Sequence, residues 1–470
     1  MAEILFDMDE FFDLEDVEVF LQQILQTQED SEHDFTCSRA TRADVYTMAA
    51  QLYAAFTELA HENREMDKNI PVCLAAEERS VIAAALLAAL ASGTVLVLPH
   101  SFSKLALEQM QETTGFLAAV VDVERPLSRS IQRISCVASF KGAPLPIKHV
   151  AAETELLQIF TGGSTGAPKI WSKTVGNIFG EALYMASRYQ ISDKDIIVST
   201  VSPYHIYGLL FSVVIPLVSR ATVFAGTPLF PAEIAECVAR QSATLLVSIP
   251  AHYRVLKGRT VGPSLRMAFS SAGMLPAGDS LDFSTCNKVG VVEVYGSTET
   301  GGLATRDRTA GHENFSPLEP VIYKIQEERL YVKSPFLSPD ISVNSDGFFL
   351  SGDRVHKEGE NSFSLHGRAD AVTKVGGVRV DLEEVRDLLQ SQAAVKECVV
   401  VPLVDKTGRG NRIEALIRGE EADPDQLKKV LAGLLEPAAL PRRIKVVSVI
   451  PLTSSGKYDR EAINALLSDS

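Results

Sequence analysis

No lysine or arginine occurs before Arg39, and the six cysteines (Cys37, Cys73, Cys136, Cys237, Cys286 and Cys398) form no CxxC pair and have no histidine at metal spacing. The first absence removes the basic start of a signal peptide. The second removes a disulfide framework and a zinc site, leaving the reduced thiols expected of a cytoplasmic protein. No basic patch offsets the net charge of −15, so nucleic acid and anionic membrane are excluded as partners. Repeats, low-complexity tracts and long linkers are absent. Charge itself is missing from Val81 to Leu98, a run long enough to raise a membrane span. The residues argue for a different arrangement: Ser80 capping a helix that runs through the alanines to Leu90, a break at Ser92 and Gly93, and a strand over Thr94 to Leu98. No membrane span is therefore expected.

Acidic and apolar residues fill the start instead. Glu3, Asp7, Asp9, Glu10, Asp13, Glu15, Asp16 and Glu18 alternate with residues such as Phe6, Phe11, Phe12, Val17 and Leu21. This pattern predicts an amphipathic helix lying on a larger body. With 470 residues, 46% of them hydrophobic, the chain has enough apolar surface for more than one domain. Short β-rich runs (Val95 to Leu98, Leu156 to Phe160, Ile196 to Val201, Ala221 to Phe224, Thr244 to Ile249, Arg266 to Ser270, Val289 to Tyr295) recur between helical patterns, which predicts an α/β fold of mostly parallel sheets covered by helices. After Arg368 the texture changes to a compact α+β unit: helix Leu382 to Leu389, strands Glu397 to Pro402 and Arg412 to Ile417, helix Asp425 to Leu435, strand Arg443 to Ile450 and a last helix from Arg460. The expected division is 1–369 and 370–470.

The most informative segment is FTGGSTGAPK, Phe160 to Lys169, directly after the apolar run Leu156, Leu157, Ile159. Gly162, Gly163 and Gly166 lack a Cβ, so successive N–H groups can turn toward one anion. Thr161, Ser164 and Thr165 add hydroxyls, and Lys169 adds a positive charge. It is not the common ATPase loop, because Ala167 and Pro168 stand where Lys and Ser or Thr are needed. Downstream come SSAGMLP (Ser270 to Pro276), VEVYGSTETGG (Val292 to Gly302), FFLSGDRV (Phe348 to Val355), GRADAVTKVGGVRV (Gly367 to Val380) and PLTSSGKYDR (Pro451 to Arg460). The loops after Thr161, Ser270 and Tyr295 fall at strand carboxyl ends, where α/β folds bind ligands.

Together these blocks resemble the adenylate-forming superfamily of acyl-CoA synthetases, aryl-CoA ligases, peptide-synthetase adenylation domains and luciferases, over about residues 50 to 465. The resemblance implies a large N-terminal domain of stacked sheets and a small mobile C-terminal domain. It implies a two-step reaction: a carboxylate attacks the α-phosphorus of ATP and releases pyrophosphate, then a thiol attacks the acyl-adenylate and releases AMP. It implies roles for residues as well. The loop from Thr161 to Lys169 cradles pyrophosphate, with Gly162 standing where the family usually has Ser. Tyr295 stacks on adenine, Gly273 opens the adenine edge, Thr298 donates to the α-phosphate and Glu299 ligates Mg2+, a hard cation that prefers oxygen. Asp353 and Arg368 hold the ribose. Lys457 bridges carboxylate and α-phosphate, and Asp370 is the hinge about which Lys457 leaves while Gly376 and Gly377 arrive to line the pantetheine path.

His205, in SPYHIYGLLF (Ser202 to Phe211), matches the gating position of the acid pocket. Amino-acid-activating relatives place Asp where this chain has Ile206, which would leave an α-ammonium group unpaired. The expected substrate is thus a small aryl or acyl acid, with Gly301 and Gly302 leaving it room. CoA is the preferred thiol and no fused carrier domain is expected. Features such as PKIWSKT also resemble ligases that load a separate acyl carrier protein, so carrier-bound phosphopantetheine stays open. Two rivals remain: a catalytically silent acyl or nucleotide sensor, which would be expected to lack Lys457 or Glu299, and an oxygenase of the luciferase type, which makes no thioester.

Overall fold

The computed structural model describes residues 14–26, 33–37, 39–63, 70–139, 144–146, 149–161, 169–368, 372–375, 378–404, 411–453 and 458–468. The chain divides into two compact units, Met1–Ile322 with Lys333–Ser342, and Tyr323–Val332 with Val343–Ser470. Contacts thus group residues 343–369 with the C-terminal part of the chain.

Among the described residues the first unit holds two sheets. The larger has nine strands in the spatial order Ser316–Pro317, Gly301–Asp307, Val291–Ser297, Met267–Ser270, Leu245–Ser248, Ile196–Ser199, Thr222–Val223, Asp34–Thr36 and Ala40–Thr41. From Val291–Ser297 to Asp34–Thr36 all neighbours are parallel. Leu245, Leu246, Val247 and Ser248 are buried without alternation, the mark of a parallel strand covered on both faces. The smaller sheet has six strands, Gln132–Ile134, Ala118–Val120, Val72–Leu74, Leu96–Leu98, Glu155–Thr161 and Lys169–Thr174. All its pairs are parallel except the last, an antiparallel hairpin.

The uncharged run supplies most of a helix over Arg79–Ser92, ended by Gly93 at φ 79°, and then the strand Leu96–Leu98. Helix Arg42–Glu62 packs on it, and so does the segment Leu210–Val214. An all-round apolar helix is stable only when enclosed in this way. No described helix is long and apolar enough to cross a membrane. Ser80 is not the cap: the helix starts at Arg79 behind Glu78, which makes no side-chain cap, and Ser80 is buried in the first turn. The Arg79 guanidinium, buried and bonded to the carbonyls of Ala225 and Gly226 and to Thr227 Oγ1, fixes this earlier start. Of the acidic N-terminal segment, Leu14–Gln26 is helical. Val17, Leu21, Ile24 and Leu25 are buried on one face, and Glu18 accepts from the Ala152 N–H at 2.8 Å.

The second unit has a four-stranded sheet in the order Ile322–Gln326, Arg329–Lys333, Phe349–Lys357, Phe363–Arg368, which the apolar spacing did not predict. A hairpin, Val372–Val375 with Val378–Asp381, leads to helix Leu382–Gln390 and a three-stranded sheet of Glu397–Val404, Asn411–Arg418 and Arg443–Val446, with helices Pro424–Ala432 and Arg460–Ser468. Val385, Leu389, Cys398, Ile413, Leu427 and Ile444 belong to its own apolar core.

Candidate active site

The parallel strands Ile196–Ser199, Leu245–Ser248, Met267–Ser270 and Val291–Ser297 end on one edge of the nine-stranded sheet, the edge at which open α/β sheets bind ligands. Register places Ser248 beside Ser270 and Ser270 beside Glu293. Ser271 Oγ donates to the Val294 carbonyl at 2.8 Å, which ties the SSAG loop to the next strand. The left-handed residue of that loop is Ala272, at φ 68°. An added Cβ at Gly273 would meet only Pro250 Cγ at 3.8 Å, so the space beside this backbone is open.

The strand Val291–Ser297 turns sharply back into Gly301–Asp307. Ser297 N–H donates to Thr300 Oγ1 at 3.0 Å, Thr300 N–H returns a bond to Ser297 Oγ at 3.3 Å, and Gly301 takes φ 66°. Thr298 and Glu299 sit at the tip, half-buried. The Glu299 carbonyl accepts from Ser338 N–H at 2.8 Å and from Lys173 Nζ at 3.4 Å, and no hydrogen bond from a described residue engages its carboxylate. Magnesium is commonly held by one or two carboxylates together with substrate phosphates, so a single carboxylate on a pinned backbone fits it. Among the described residues no group of three or more His, Cys, Asp or Glu side chains can hold a metal.

Behind the turn, Tyr295 lies with its ring centroid 5.8 Å from that of Phe315, and the Arg306 guanidinium sits 4.3 Å from the Phe315 centroid. Arg306 in turn donates twice to Glu293, at 2.9 Å each, and Arg308 also pairs with Glu293. Burial lowers the Arg308 pKa, an effect that Glu293 opposes.

Thr161 and Lys169 are register partners closing the hairpin of the six-stranded sheet, with Thr161 Oγ1 donating to the Lys169 carbonyl at 3.3 Å. The phosphate-type segment is thus flanked by antiparallel strands rather than by a strand and a helix. Gly162, Gly163, Ser164, Thr165 and Gly166 lie outside the described residues, as do Asp370, Gly376, Gly377 and Lys457. The described neighbours of Lys457 form a β-bridge, Leu452 with Tyr458, and Tyr458 Oη donates to Glu397 at 3.2 Å.

Within the second unit Asp353 and Arg368 are cross-strand register partners, so the two expected ribose contacts are neighbours. Asp353 N–H donates to Ser351 Oγ at 3.2 Å.

His205 precedes the short helix Ile206–Leu209. Its N–H donates to the Ser202 carbonyl at 3.1 Å and its own carbonyl accepts from Leu209 N–H at 2.8 Å. This tight return needs Gly208, because a Cβ there would overlap the Ser202 carbonyl. Gly208→Ala is expected to lower stability by about 1–3 kcal/mol, the usual cost of overpacking. A chemical-denaturation midpoint equal to that of the parent would show that the loop absorbs the methyl.

Three features escaped the sequence reading. The room expected beside Gly301 and Gly302 is taken by the protein itself: a Cβ on Gly301 would stand 2.6 Å from Glu181 Oε2, and one on Gly302 would stand 3.0 Å from Glu181 Oε1. Glu181 is buried and accepts from Gly302 N–H at 2.8 Å. Its neighbour Lys173 is 1% exposed and donates to the Phe336 carbonyl at 2.9 Å. Burial brings the Lys173 pKa down to about 8 against the opposing carboxylates of Glu181, Glu299 and Asp340, while burial raises that of Glu181 against the pull of Lys173. The third feature is a cluster at the same sheet edge: His252 Nδ1 is 2.8 Å from Thr200 Oγ1 and 3.3 Å from Ser248 Oγ, and the two hydroxyls are 2.8 Å apart. Burial lowers the His252 pKa. The only sequence signal for this cluster was a hydroxyl residue closing each apolar strand.

Comparison with known proteins places this geometry. The chain is 27% identical over 381 residues to acetyl-coenzyme A synthetase 1 of Kluyveromyces lactis, a match covering 68% of this chain and 54% of that protein. It is 24% identical over 352 residues to indoleacetate–CoA ligase of Aromatoleum aromaticum, covering 68% of each. The chain thus spans about half the length of the first relative and about two thirds of the second. Its fold is like that of o-succinylbenzoate coenzyme A synthetase of Bacillus subtilis in complex with ATP and magnesium ion, with a TM-score of 0.78 at 19% identity, covering 95% of this chain and 99% of that one. The model of the AMP-binding enzyme C-terminal domain matches residues 384–457. With the AMP-binding enzyme model itself matching residues 22–318, which include the hairpin turn carrying Thr298 and Glu299, the chain belongs to the AMP-binding enzyme family.

Proposed function

We propose that this enzyme activates a small aryl or acyl carboxylic acid with ATP and passes the acyl group to a thiol, with CoA preferred over the phosphopantetheine of a separate carrier protein. The observation that carries this reading is the pinned turn Ser297–Gly301, which presents a hydroxyl and a carboxylate beside a backed tyrosine ring at the ligand edge of the sheet. In the first step a carboxylate oxygen of the acid bonds to the α-phosphorus and the bond to the bridging oxygen of pyrophosphate breaks. In the second a thiolate bonds to the acyl carbon, the acyl–oxygen bond breaks and AMP leaves.

Tyr295 stacks on adenine, held from behind by Phe315 and Arg306, and the backbone at Gly273 approaches the adenine edge. Asp353 and Arg368 hold the ribose hydroxyls. Thr298 donates to the α-phosphate, and Glu299 supplies an oxygen ligand. Magnesium, when bound, screens the charge that builds on the phosphates. The segment Thr161 to Lys169 receives pyrophosphate, and Lys457 stabilises the charge shared by carboxylate and α-phosphate in the transition state. We assign the functional division to 1–369 and 370–470, with Asp370 as hinge and Gly376 and Gly377 beside the thiol's path after rotation. His205 borders the acid, and Ile206 in place of an acidic residue disfavours α-amino acids. Six unpaired cysteines support a cytoplasmic setting.

The test is mass spectrometry of products from the pure protein with Mg·ATP and benzoic, hydroxybenzoic, cinnamic and straight-chain acids, with no thiol, with CoA, or with phosphopantetheinylated carrier protein. Acyl-adenylate without thiol and thioester with one acceptor are expected. AMP without thioester in any arm would favour the oxygenase rival, and no AMP or pyrophosphate from any acid would favour the sensor.

A further inference from the structure

The turn that carries Thr298 and Glu299 is held at both ends by two buried ionisable side chains, Lys173 and Glu181. Lys173 stands on the strand Lys169–Thr174, which follows the phosphate-type segment directly. Its ammonium donates to the carbonyls of Glu299 and Phe336, and Glu181 takes the N–H of Gly302 on the far side of the same turn. The segment after Phe336 closes the bracket, since Ser338 N–H donates to the Glu299 carbonyl at 2.8 Å and the Asp340 carboxylate accepts from Ser172 N–H at 2.6 Å. Buried charges are costly unless they are paired and hydrogen-bonded. A leucine or methionine at 173 would fill this volume without that cost. What an apolar side chain cannot do is hold a backbone carbonyl at a set distance.

We propose that Lys173 and Glu181 are positioning residues that fix the spacing between the strand leaving the phosphate-binding segment and the turn that presents Thr298 and Glu299 to the metal-bound phosphates. This rests on the function proposed above. Lys173 acts through the backbone of Glu299 and touches no substrate. Glu181 acts through Gly302, and its carboxylate lies with Phe336 beside Gly301, whose φ of 66° itself favours glycine. The couple thereby links two elements that lie far apart in sequence and on different sheets. Its effect is specific to the step that uses magnesium and releases pyrophosphate, since the thiol step does neither.

The experiment compares the whole protein with Lys173→Met, Glu181→Gln and the double variant. Four quantities are measured: melting temperature, Mg·ATP binding by calorimetry, the Mg2+ dependence of acyl-adenylate formation, and thioester formation from supplied acyl-adenylate. Misplacing reacting groups by an ångström costs on the order of 100-fold in rate, so adenylation by either single variant is expected to fall by about that factor. Half-saturation by Mg2+ is expected to move up about tenfold, with thioester formation within about twofold of the parent. The double variant, free of an unpaired buried charge, is expected to melt near the parent and keep the defect. It therefore carries the test if a single variant fails to fold.

If the double variant regains the parent's rate and Mg2+ dependence, the couple is charge balance alone and the proposal falls. Equal loss in both half-reactions overturns it too. If the parent binds Mg·ATP yet makes no adenylate from any acid, the proposed function fails on its own account. The clamp is then judged by calorimetry: weakened ATP binding in Mg2+ but not in EDTA supports it, and unchanged binding removes it.

Discussion

Lys457→Ala is expected to cut acyl-adenylate formation by about 10²–10³-fold, the usual loss when one preorganised group facing transition-state charge is removed, while thioester formation from supplied adenylate stays within about twofold. The asymmetry follows from where the charge grows. In the first step negative charge accumulates between the carboxylate and the α-phosphate, and a cation there is worth more in the transition state than in the ground state. In the second step that charge departs with AMP, and the proposed rotation about Asp370 has already withdrawn the lysine. Single-turnover assays of each half-reaction measure the two separately. Equal loss in both would remove the rotation and leave Lys457 as a general binding residue.

A comparable effect on stability is expected at Glu293. This carboxylate is about 5% exposed and faces both Arg306, about 6% exposed, and Arg308. Glu293→Ala leaves Arg306 with the Glu313 carbonyl and Arg308 with the exposed Glu313 carboxylate, and breaking a buried pair by deleting one partner costs about 3–5 kcal/mol. The unfolding free energy from urea titration is expected to drop by that amount. Because Arg306 backs Phe315 and Phe315 backs Tyr295, ATP affinity is expected to fall with it. A loss below about 1 kcal/mol would mean that water reaches the freed arginines, and unchanged ATP affinity would mean that Tyr295 needs no such backing.

Strands and their order of appearance were legible because parallel strands buried on both faces are written as short unbroken apolar runs. Ile196–Ser199, Leu245–Ser248 and Met267–Ser270 fall where those runs lie. The hairpin Lys169–Thr174 and the four-stranded sheet from Ile322 to Arg368 were not legible. Their strands are interrupted by charges (Lys169, Lys173, Lys324, Lys333, Asp353), and an antiparallel strand so interrupted has too weak an apolar signature to stand out from loop. The site divided in the same way. Residues announced by glycine and hydroxyl neighbours, such as Thr298 and Glu299, could be proposed from the sequence, and they lie on the turn between Val291–Ser297 and Gly301–Asp307. Lys173, Glu181, Ser248 and His252 could not, because each has its partners on a distant element, and distance in space is not written in local spacing. The room assigned to substrate beside Gly301 went wrong for the same reason: a missing side chain tells that something comes close, and here that something is Glu181.

The enclosed helix Arg79–Ser92 also bears on how the chain is made. It packs against Leu210–Val214, which leaves the ribosome long after it. At usual synthesis rates the delay is on the order of ten seconds. Throughout that interval an alanine- and leucine-rich helix, uncharged after Arg79, has one side without its native cover. The nascent chain therefore has to be shielded at this helix, and a fragment ending before Leu210 is a poor candidate for soluble expression, whatever fraction of the smaller sheet it contains.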